Sequence, residues 1–314
     1  MKAWLRKPWA GPLVALIVVY VLLVVLRPET FAGSANLLTM ARQTVVVAIA
    51  AVGMTLVIVQ GGIDLSVGSG VALTTVVVAW VLDRGLSPWM AVPAGVLSSL
   101  LAGSLTGLLI TRWNVTPFII TLGGMSILRG IAKGLAHEQK IDVDPGGLEH
   151  LMASSPGAWM PVPAGVWVAV AIAVAAALML AYTRFGKHVF AVGSNAQTAR
   201  LCGIRVGRVR LAVYALAGLL TGIAGVMEFS TLTVGDPTDS VGLELEVIAA
   251  VVIGGGSLSG GEGSILGSMV GALLMTVIKT GGTHLGLANW VQEIVTGAII
   301  VVAVAVDRLR RARR

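Results

Sequence analysis

Residues 183–210 read TRFGKHVFAVGSNAQTARLCGIRVGRVR and form the one long polar break in the second half of the chain. The segment holds six Lys and Arg residues and no Asp or Glu. Apolar runs flank it on both sides, so the chain leaves a membrane here and enters it again. Short loops rich in Lys and Arg lie on the cytoplasmic side of a membrane. The pattern therefore predicts a cytoplasmic segment at 184–210, long enough to serve as a docking surface for a cytosolic protein.

The composition of the whole chain supports a membrane protein. Of its 314 residues, 56% are hydrophobic and 12% are charged, and the mean hydropathy is +0.91. The charged share is about half that of an ordinary soluble domain, which could not bury this much apolar surface. No polar block is large enough for a second fold, so we predict a single all-α polytopic domain over 1–314.

The net charge of +7 does not indicate nucleic-acid binding. The Lys and Arg residues lie in short loops and at the end of the chain, as membrane topology requires, rather than on one face of a soluble domain. Cys202 is the only cysteine, which excludes an intrachain disulfide and a cysteine-rich metal site. We interpret it as a small apolar filler.

The apolar runs predict the membrane spans. A membrane helix needs about 20 mostly apolar residues. About ten runs qualify, and eight or nine spans would also fit because the third and eighth are short and broken by glycine. The candidates are 11–26, 40–60, 66–82, 88–111, 116–136, 163–182, 210–233, 243–256, 264–280 and 289–306.

Charge predicts the orientation of these spans. If the N-terminus is cytoplasmic, alternation places fifteen of the 22 Lys and Arg residues inside and collects seven acidic residues outside. This separation predicts an even number of spans and two cytoplasmic termini. The first run also resembles a signal peptide, but it is long and a poor cleavage site follows, so we expect an uncleaved helix. The outer loop 137–162 is acidic and is expected to be a partly ordered cap, open to a receptor or simply exposed.

Within 184–210, a short helix is predicted. Ser194 and Gln197 have the spacing of a capping box, residues 196–202 follow as about two helical turns, and Gly203 ends the helix. Ala196, Ala199 and Gly203 would form a small face that lets another protein approach closely. The alternative is an interfacial amphipathic helix held by anionic membrane lipid.

Two glycine-rich breaks share a weak internal similarity, GGIDLSVGSG at 61–70 and GGGSLSGGEGS at 254–264. Glycine-broken segments in related positions of a transporter indicate unwound helices that line a path. Asp64 is costly at membrane depth and therefore faces a partner or a cavity. The alternative is that Asp64 or Ser66 caps the helix that starts near Val67.

The sequence LSGGE at 258–262 resembles the signature of ABC ATPases but cannot act as one, because the chain contains no GxxxxGK[ST] phosphate-binding loop. The four histidines are scattered, and no HExxH or nucleophile elbow is present. The chain is therefore predicted to be neither an ATPase nor another enzyme, and to bind no cofactor and no metal.

Arg129 lies 13 residues into its predicted span, roughly 20 Å across a core of about 30 Å. It could donate hydrogen bonds to a polyhydroxylated solute, or pair with Glu244 or Glu246. Glu228 and Glu293 are also partly embedded and would either carry protons or be structural.

Four segments together resemble one family. RQTVVVAIAAVGMTLVIVQGGIDLSVGS (42–69), TPFIITLGGMSILRG (116–130), TRFGKHVFAVGSNAQTARLCGI (183–204) and LELEVIAAVVIGGGSLSGGEGSILG (243–267) look like the membrane permease subunit of bacterial ribose-type sugar ABC importers. The resemblance covers nearly the whole chain, with long motifs in order. One departure is AHEQKIDVDPGG at 136–147, which replaces the usual short glycine-rich entry to the outer loop on the receptor side.

The resemblance implies a bacterial inner-membrane protein with several partners. These are a second permease copy, identical or paralogous, a cytosolic ABC ATPase that binds ATP and magnesium, and an extracytoplasmic sugar-binding protein. It also implies that the ATPase contacts the loop from Phe190 to Ile204. The candidate docking residues are Phe190, Gly193, Ser194, Asn195, Ala196, Ala199, Arg200, Gly203 and Ile204.

The expected function is inward transport of a monosaccharide or similar small polyol by alternating access. The candidates for the translocation path are Gly61, Gly62, Asp64, Ser66, Thr121, Ser126, Arg129, Gly255 and Ser257. Two alternatives remain open at this point. One is a proton-coupled secondary transporter that uses Asp64, Glu228 or Glu293, and the other is a membrane scaffold that transports nothing.

Overall fold

The computed structural model describes residues 10–154 and 161–312, with side chains up to residue 305. Within these ranges the chain is all-α, apart from one antiparallel pair of two-residue strands, β1 (Ile141–Asp142) and β2 (Val234–Gly235). The helices are α1 (Ala10–Leu26), α2 (Pro28–Phe31), α3 (Ser34–Val59), α4 (Val67–Asp83), α5 (Pro88–Trp113), α6 (Pro117–Leu135), α7 (Ala164–Tyr182), α8 (Arg184–Ser194), α9 (Ala196–Leu201), α10 (Val206–Leu232), α11 (Leu243–Ile253), α12 (Ile265–His284) and α13 (Asn289–Ala312).

Every predicted span coincides with a helix, so the all-α polytopic prediction is confirmed. Within the described ranges, six helices are long and apolar enough to cross a membrane, namely α3, α5, α6, α7, α10 and α12. The helices α1 and α4 have 17 residues each, whereas α11 has only 11. At 1.5 Å per residue α11 is about 16 Å long, roughly half the thickness of a bilayer core. The helix α11 therefore cannot cross a membrane alone. This short helix is the largest departure from the ten full spans that the sequence predicts.

The centre of the bundle is α3. All residues from Val45 to Val59 are buried, on every side of the helix. A helix that is apolar all round must be enclosed by other elements, and α7, α8, α10, α11 and α12 supply that enclosure.

The most extensive helix pair is α5 with α10. The Cα atom of Gly103 would lie 3.0 Å from a Cβ added at Gly218, and the Cα of Val96 would lie 2.8 Å from one added at Gly222. Small residues let two membrane helices bring their backbones into contact, which replaces the hydrophobic driving force that lipid does not supply.

The periphery is apolar. On α5, Leu97, Leu101, Leu105 and Leu108 form a stripe at a spacing of three to four residues, and each is about half exposed. Similar exposed apolar side chains occur on α6 and α7, including Ile127 and Trp167. A continuous exposed surface of this kind is found where lipid, rather than water, is the solvent.

The bundle has two distinct ends. We call the end with α8, α9 and the two glycine-rich loops, 60–66 and 254–264, the basic end. The opposite end holds the strand pair and the loop 137–162, and β1 and β2 both contact α4 there. Part of that loop is ordered: Leu148–Met152 form a 3-10 turn whose Leu148 and Met152 are buried. Residues 155–160 of the loop lie outside the described residues, as do Lys2, Arg6, Lys7, Arg313 and Arg314.

Candidate functional site

The segment from 184 to 204 folds into two helices rather than one. Thr183 Oγ1 accepts a hydrogen bond from the Gly186 N–H at 3.1 Å and starts α8, and Asn195 Oδ1 accepts from the N–H groups of Gln197 and Thr198 at 3.0 and 2.9 Å and starts α9. The predicted capping box is therefore wrong. Ser194 is the last residue of α8, and Asn195 leaves the helical conformation with φ −161° and caps α9 in its place.

Exposure divides the predicted docking residues into two groups. Ser194, Asn195, Arg200 and Gly203 are exposed, whereas Phe190, Gly193, Ala196 and Ile204 are partly buried. Ala199 is 4% exposed and packs into this chain, contrary to the expected small face turned toward a partner. The exposed side of α9 instead carries Arg200 and Leu201, the latter 89% exposed. Gly203 follows α9 with φ +82°, and its missing side chain permits the left-handed turn that ends the helix.

A groove lies beside α9 at the basic end. Its volume is about 580 Å³, and its walls come from α5, α9, α10 and the turn between the last two. Its polar walls include Thr111, Arg200, Arg205 and Arg208, with Ile204 among the apolar ones. Exposed guanidinium groups of this kind favour carboxylate or phosphate groups.

The C-terminal end of α8 is wedged between the two glycine-rich loops. A Cβ added at Gly193 would overlap the carbonyl oxygen of Val59 and lie 2.6 Å from the nitrogen of Gly261. The second loop is also bonded to the last residue of α3, because the Gly261 N–H donates to the Val59 carbonyl at 2.8 Å. It meets the first loop as well, since a Cβ added at Gly260 would lie 2.9 Å from the Gly61 Cα atom. A Cβ at Gly260 would lie 2.7 Å from the Gly193 carbonyl oxygen. Any displacement of α8 therefore acts on both loops at once.

The first glycine-rich loop is held by Asp64. Its Oδ1 accepts hydrogen bonds from the Ser66 N–H at 2.9 Å and from the Ser66 hydroxyl at 2.6 Å, and Asp64 is 4% exposed. Thr121 on α6 donates to the Ile63 carbonyl at 3.3 Å. The structure thus brings together the predicted path residues Gly61, Gly62, Asp64, Ser66 and Thr121 and uses the Asp64 carboxylate to shape the turn before α4.

The second glycine-rich loop is a chain reversal before α12. Gly255 has φ +91°, and Ser257 is 1% exposed. The Ser257 N–H donates to the Glu262 carbonyl at 3.1 Å, and Ser264 caps α12 by accepting from the Gly267 N–H at 3.2 Å. Gly255 and Ser257 therefore lie in the same layer as the first loop, at the basic end.

Arg129 and Ser126 are placed apart from these loops. Ser126 lies on the exposed face of α6. The Arg129 guanidinium donates to the carbonyl oxygens of Pro237 at 2.9 Å and Asp239 at 2.6 Å. Glu246, one of its two expected carboxylate partners, pairs instead with Lys279 at 2.8 Å. Glu244, the other expected partner, does interact electrostatically with Arg129, so that alternative is confirmed in part, and Arg129 also anchors a backbone segment.

That segment, 233–242, connects α10 to α11 and enters the bundle. Gly235 packs on the backbone of Thr75 and Val76, whereas Ser240 packs on Gly68, about two turns nearer the basic end of α4. We call 233–242 the re-entrant segment. Seven helical residues correspond to roughly 10 Å of depth. Irregular backbone at such depth occurs only where protein buries it or where it borders a cavity.

The re-entrant segment borders one polar cavity. The cavity has a volume of about 450 Å³ and lies between α3, α10, α11 and α12. Glu228 stands out in the sequence as a partly embedded carboxylate, whereas nothing local marks Arg42 and Lys279, because the cavity brings them together from distant helices. Glu293, the other embedded carboxylate considered, is exposed on α13.

The comparisons with known proteins agree with this geometry. The family described as "Branched-chain amino acid transport system / permease component" matches residues 36–304. The chain is 38% identical to the ribose import permease protein RbsC of Escherichia coli strain K12, over 99% of this chain and 96% of the relative. It is 36% identical to RbsC of Bacillus subtilis strain 168, over 96% and 93%.

A third relative carries a different name. The L-arabinose ABC transporter permease protein AraH of Azospirillum brasilense is 36% identical over 84% of this chain and 77% of the relative. No solved structure matches the chain. With its multi-pass helical bundle and a family match over most of its length, the chain belongs to the family of ABC transport-system permease components.

Proposed function

We propose that this chain is the translocation subunit of an ATP-driven importer for a monosaccharide or similar small polyol. Its relatives are named as ribose and arabinose permeases, and they share nearly its full length. As a permease it catalyses no reaction and holds no cofactor. ATP and magnesium belong to a cytosolic ABC ATPase, and an extracytoplasmic sugar-binding protein delivers the solute.

The observation that carries the proposal is the arrangement at the basic end. The helices α8 and α9 expose arginines to the surroundings while Gly193 contacts both glycine-rich loops. An ATPase that binds the segment from Phe190 to Ile204 would therefore displace Val59 and Gly261 through direct contacts. In the described part of the chain, no flexible linker separates the docking helices from these two residues. This provides a path for force from a soluble motor to α3, α4, α11 and α12.

In this mechanism, ATP binding closes the ATPase pair and shifts the docking helices. Two permease copies, identical or paralogous, then open outward to the loaded sugar-binding protein, and hydrolysis resets them. The glycine-rich loops with Asp64, Ser66, Gly255 and Ser257 form the inner end of the path. Asp64 serves there as a structural group that keeps the turn before α4 closed.

The same proposal sets the orientation in the bacterial inner membrane. Both termini and the basic end face the cytoplasm, the opposite end faces the sugar-binding protein, and α11 with the re-entrant segment completes the eighth of ten passes. Anionic membrane lipid surrounds the basic end, and no nucleic acid is involved. Charge separation along the sequence supports this orientation.

The native cysteine provides a direct test. Cys202 is exposed in the turn after α9. A membrane-impermeant maleimide should label it in inverted vesicles and leave it unlabelled in intact spheroplasts. Assembly with the ATPase should slow the labelling several-fold, because the docked domain covers the turn. Labelling from outside intact spheroplasts, or an unchanged rate in the assembled complex, would refute the proposal.

A further inference from the structure

The polar cavity beside the re-entrant segment differs from the rest of the membrane interior because it gathers charged groups from five parts of the chain. Its ionisable side chains come from α3, α10, the re-entrant segment, α11 and α12. They are Arg42, Glu228, Asp239, Glu246 and Lys279. A charged side chain at membrane depth is costly, so groups of this kind mark a pathway or a binding site.

The donors and acceptors of the cavity are held in place. Lys279 Nζ lies 2.8 Å from Glu246 Oε1, with the Glu246 side chain 19% exposed. Gln43 accepts a hydrogen bond from the Thr280 hydroxyl at 3.0 Å. Glu228 and Asp239 both line the cavity, and Arg129 holds the backbone of Asp239 by donating to its carbonyl oxygen at 2.6 Å.

One donor is left without a partner. Among the described residues, the Nε atom of Arg42 is buried and makes no hydrogen bond. A buried N–H group of a guanidinium without an acceptor is unfavourable, and a ligand oxygen would remove that penalty. This atom lies on a residue that lines the cavity.

The charged groups indicate what kind of ligand fits. Arg42 and Lys279 supply cationic donors, and Glu228, Asp239 and Glu246 supply carboxyl oxygens, so strong donors and acceptors line the same cavity. A mixed set of this kind suits a neutral molecule with many hydroxyl groups, since each hydroxyl both donates and accepts.

The size of the cavity fits the same conclusion. Its volume of about 450 Å³ lies in the range of small-molecule sites, about 300–1,000 Å³. It also has access from the surface, because the Gln43 and Lys279 side chains on its border are exposed.

We infer that this cavity is a solute-binding site on the transport path, in the half of the bundle away from the ATPase docking segment. The hydroxyl groups of a neutral sugar or polyol donate hydrogen bonds to Glu228 and Glu246 and accept hydrogen bonds from Lys279 and Arg42. Arg129 is a positioning residue that holds Asp239 at the floor of the site. The inference rests on the proposed import function and adds to it the residues that contact the solute.

The test uses cysteine protection in the complete permease–ATPase complex, reconstituted in liposomes. In a Cys202→Ser background, Gln43→Cys places a thiol on the border of the cavity, and Ser87→Cys places a matched thiol in the exposed turn between α4 and α5. An impermeant maleimide is added to the side opposite the ATPase. A panel of pentoses, hexoses and pentitols is tested at millimolar concentration, with betaine as the osmolyte control.

At least one sugar or pentitol should slow labelling of the Gln43→Cys protein at least fivefold and leave labelling of the Ser87→Cys protein unchanged. Adding Lys279→Met should raise the sugar concentration for half protection by about tenfold, because a hydrogen bond to a charged group is lost. A Lys279→Arg variant keeps the charge and should retain most of the protection.

Contrary outcomes separate the two proposals. If no member of the panel protects, if betaine protects equally, or if the thiol at position 43 never reacts, the binding site is refuted while the import function stands. If the Ser87→Cys protein reacts only from the ATPase side, the proposed orientation itself fails.

Discussion

At the residue scale, several polar side chains in this protein shape the backbone around them. Asp64 and Asp236 each accept from the N–H and the hydroxyl of the residue two positions later, Ser66 and Thr238. Arg129 donates only to carbonyl oxygens in the hydrogen bonds described here. Asp64, Asp236 and Arg129 are charged groups in a largely apolar chain, so the sequence marks each of them as unusual. A carboxylate that shapes a turn and a carboxylate that lines a solute path have the same neighbouring sequence, however. Only the positions of the partner atoms separate the two.

Asp236 leads to a prediction about pH. Burial disfavours its charge, but hydrogen bonds from Thr238 and the nearby Lys140, 3.1 Å away, outweigh burial and hold the pKa of Asp236 below its usual value. A lowered pKa in the folded state means that the carboxylate stabilises the fold at neutral pH. This contribution is lost as the pH falls below about 4 and passes through the folded-state pKa.

Asp236→Asn should therefore lower the free energy of unfolding by about 0.5–1 kcal/mol at pH 7, since Lys140 is largely exposed. Thermal melting of the purified protein between pH 7 and pH 3 measures this, and the difference from wild type should vanish at the acid end. Asp142→Asn, on the exposed side of β1, is the matched control. A difference that persists unchanged at pH 3 would contradict the assignment.

At the scale of single elements, hydropathy predicted helices better than it predicted polar structure. The runs of α3, α5 and α10 are long and apolar, so local composition alone decides that they are helices. The helix α8 was missed because RFGKHVFAVGS combines two glycines with three basic or histidine residues and reads as loop. It is stable because Val189 and Val192 are buried against the bundle. The cap at Ser194 was misplaced by one residue, since Ser194 and Asn195 are both good capping residues.

The connection from α8 to the glycine-rich loops can be tested at Gly193. A methyl group there would overlap Val59, so Gly193→Ala must push α8 away from both loops. Overpacking of this kind costs about 1–3 kcal/mol. We expect solute uptake by the reconstituted complex to fall several-fold while ATP hydrolysis continues, because α8 would no longer contact both loops.

The control is Gly130→Ala in α6, where an added Cβ meets no atom within 4 Å. Uptake and ATP hydrolysis are measured in the same liposomes for both variants. Equal uptake by the Gly193→Ala protein and wild type would show that α8 does not transmit motion to the loops. If both activities are lost and the melting temperature falls, the variant is misfolded. Gly193→Ser is then expected to show the same losses.

At the scale of the whole molecule, close contacts between glycines hold the long helices together. Gly103 and Gly218 bring α5 and α10 into backbone contact near their middles, and Gly225 lies against Thr74 of α4. In lipid, packing and hydrogen bonds replace the hydrophobic effect as the source of helix association. Stability should therefore depend on small residues at these contacts more than on the exposed leucines of α5.

Gly218→Val tests this dependence. A Cβ at this position would lie 3.0 Å from the Gly103 Cα atom and would overlap the Ser99 carbonyl oxygen. We expect a loss of roughly 1–3 kcal/mol or more in the free energy of unfolding, seen as a lower melting temperature of the detergent-purified protein. Gly123→Val in α6, where an added Cβ has open space, should melt close to wild type. Equal melting of the two variants would argue against this contact as a major source of stability.

The sequence by itself determined the membrane class, the positions of the long apolar helices and the basic segment 184–210, because hydropathy and charge are local properties of the chain. It also identified the family through four ordered motifs. Only the tertiary structure decided that the glycine-rich loops meet α8, that Arg129 anchors the re-entrant segment, and that Arg42, Glu228 and Lys279 share one cavity. These are contacts between residues far apart in the chain, and no local pattern encodes which distant side chains face each other once the helices pack.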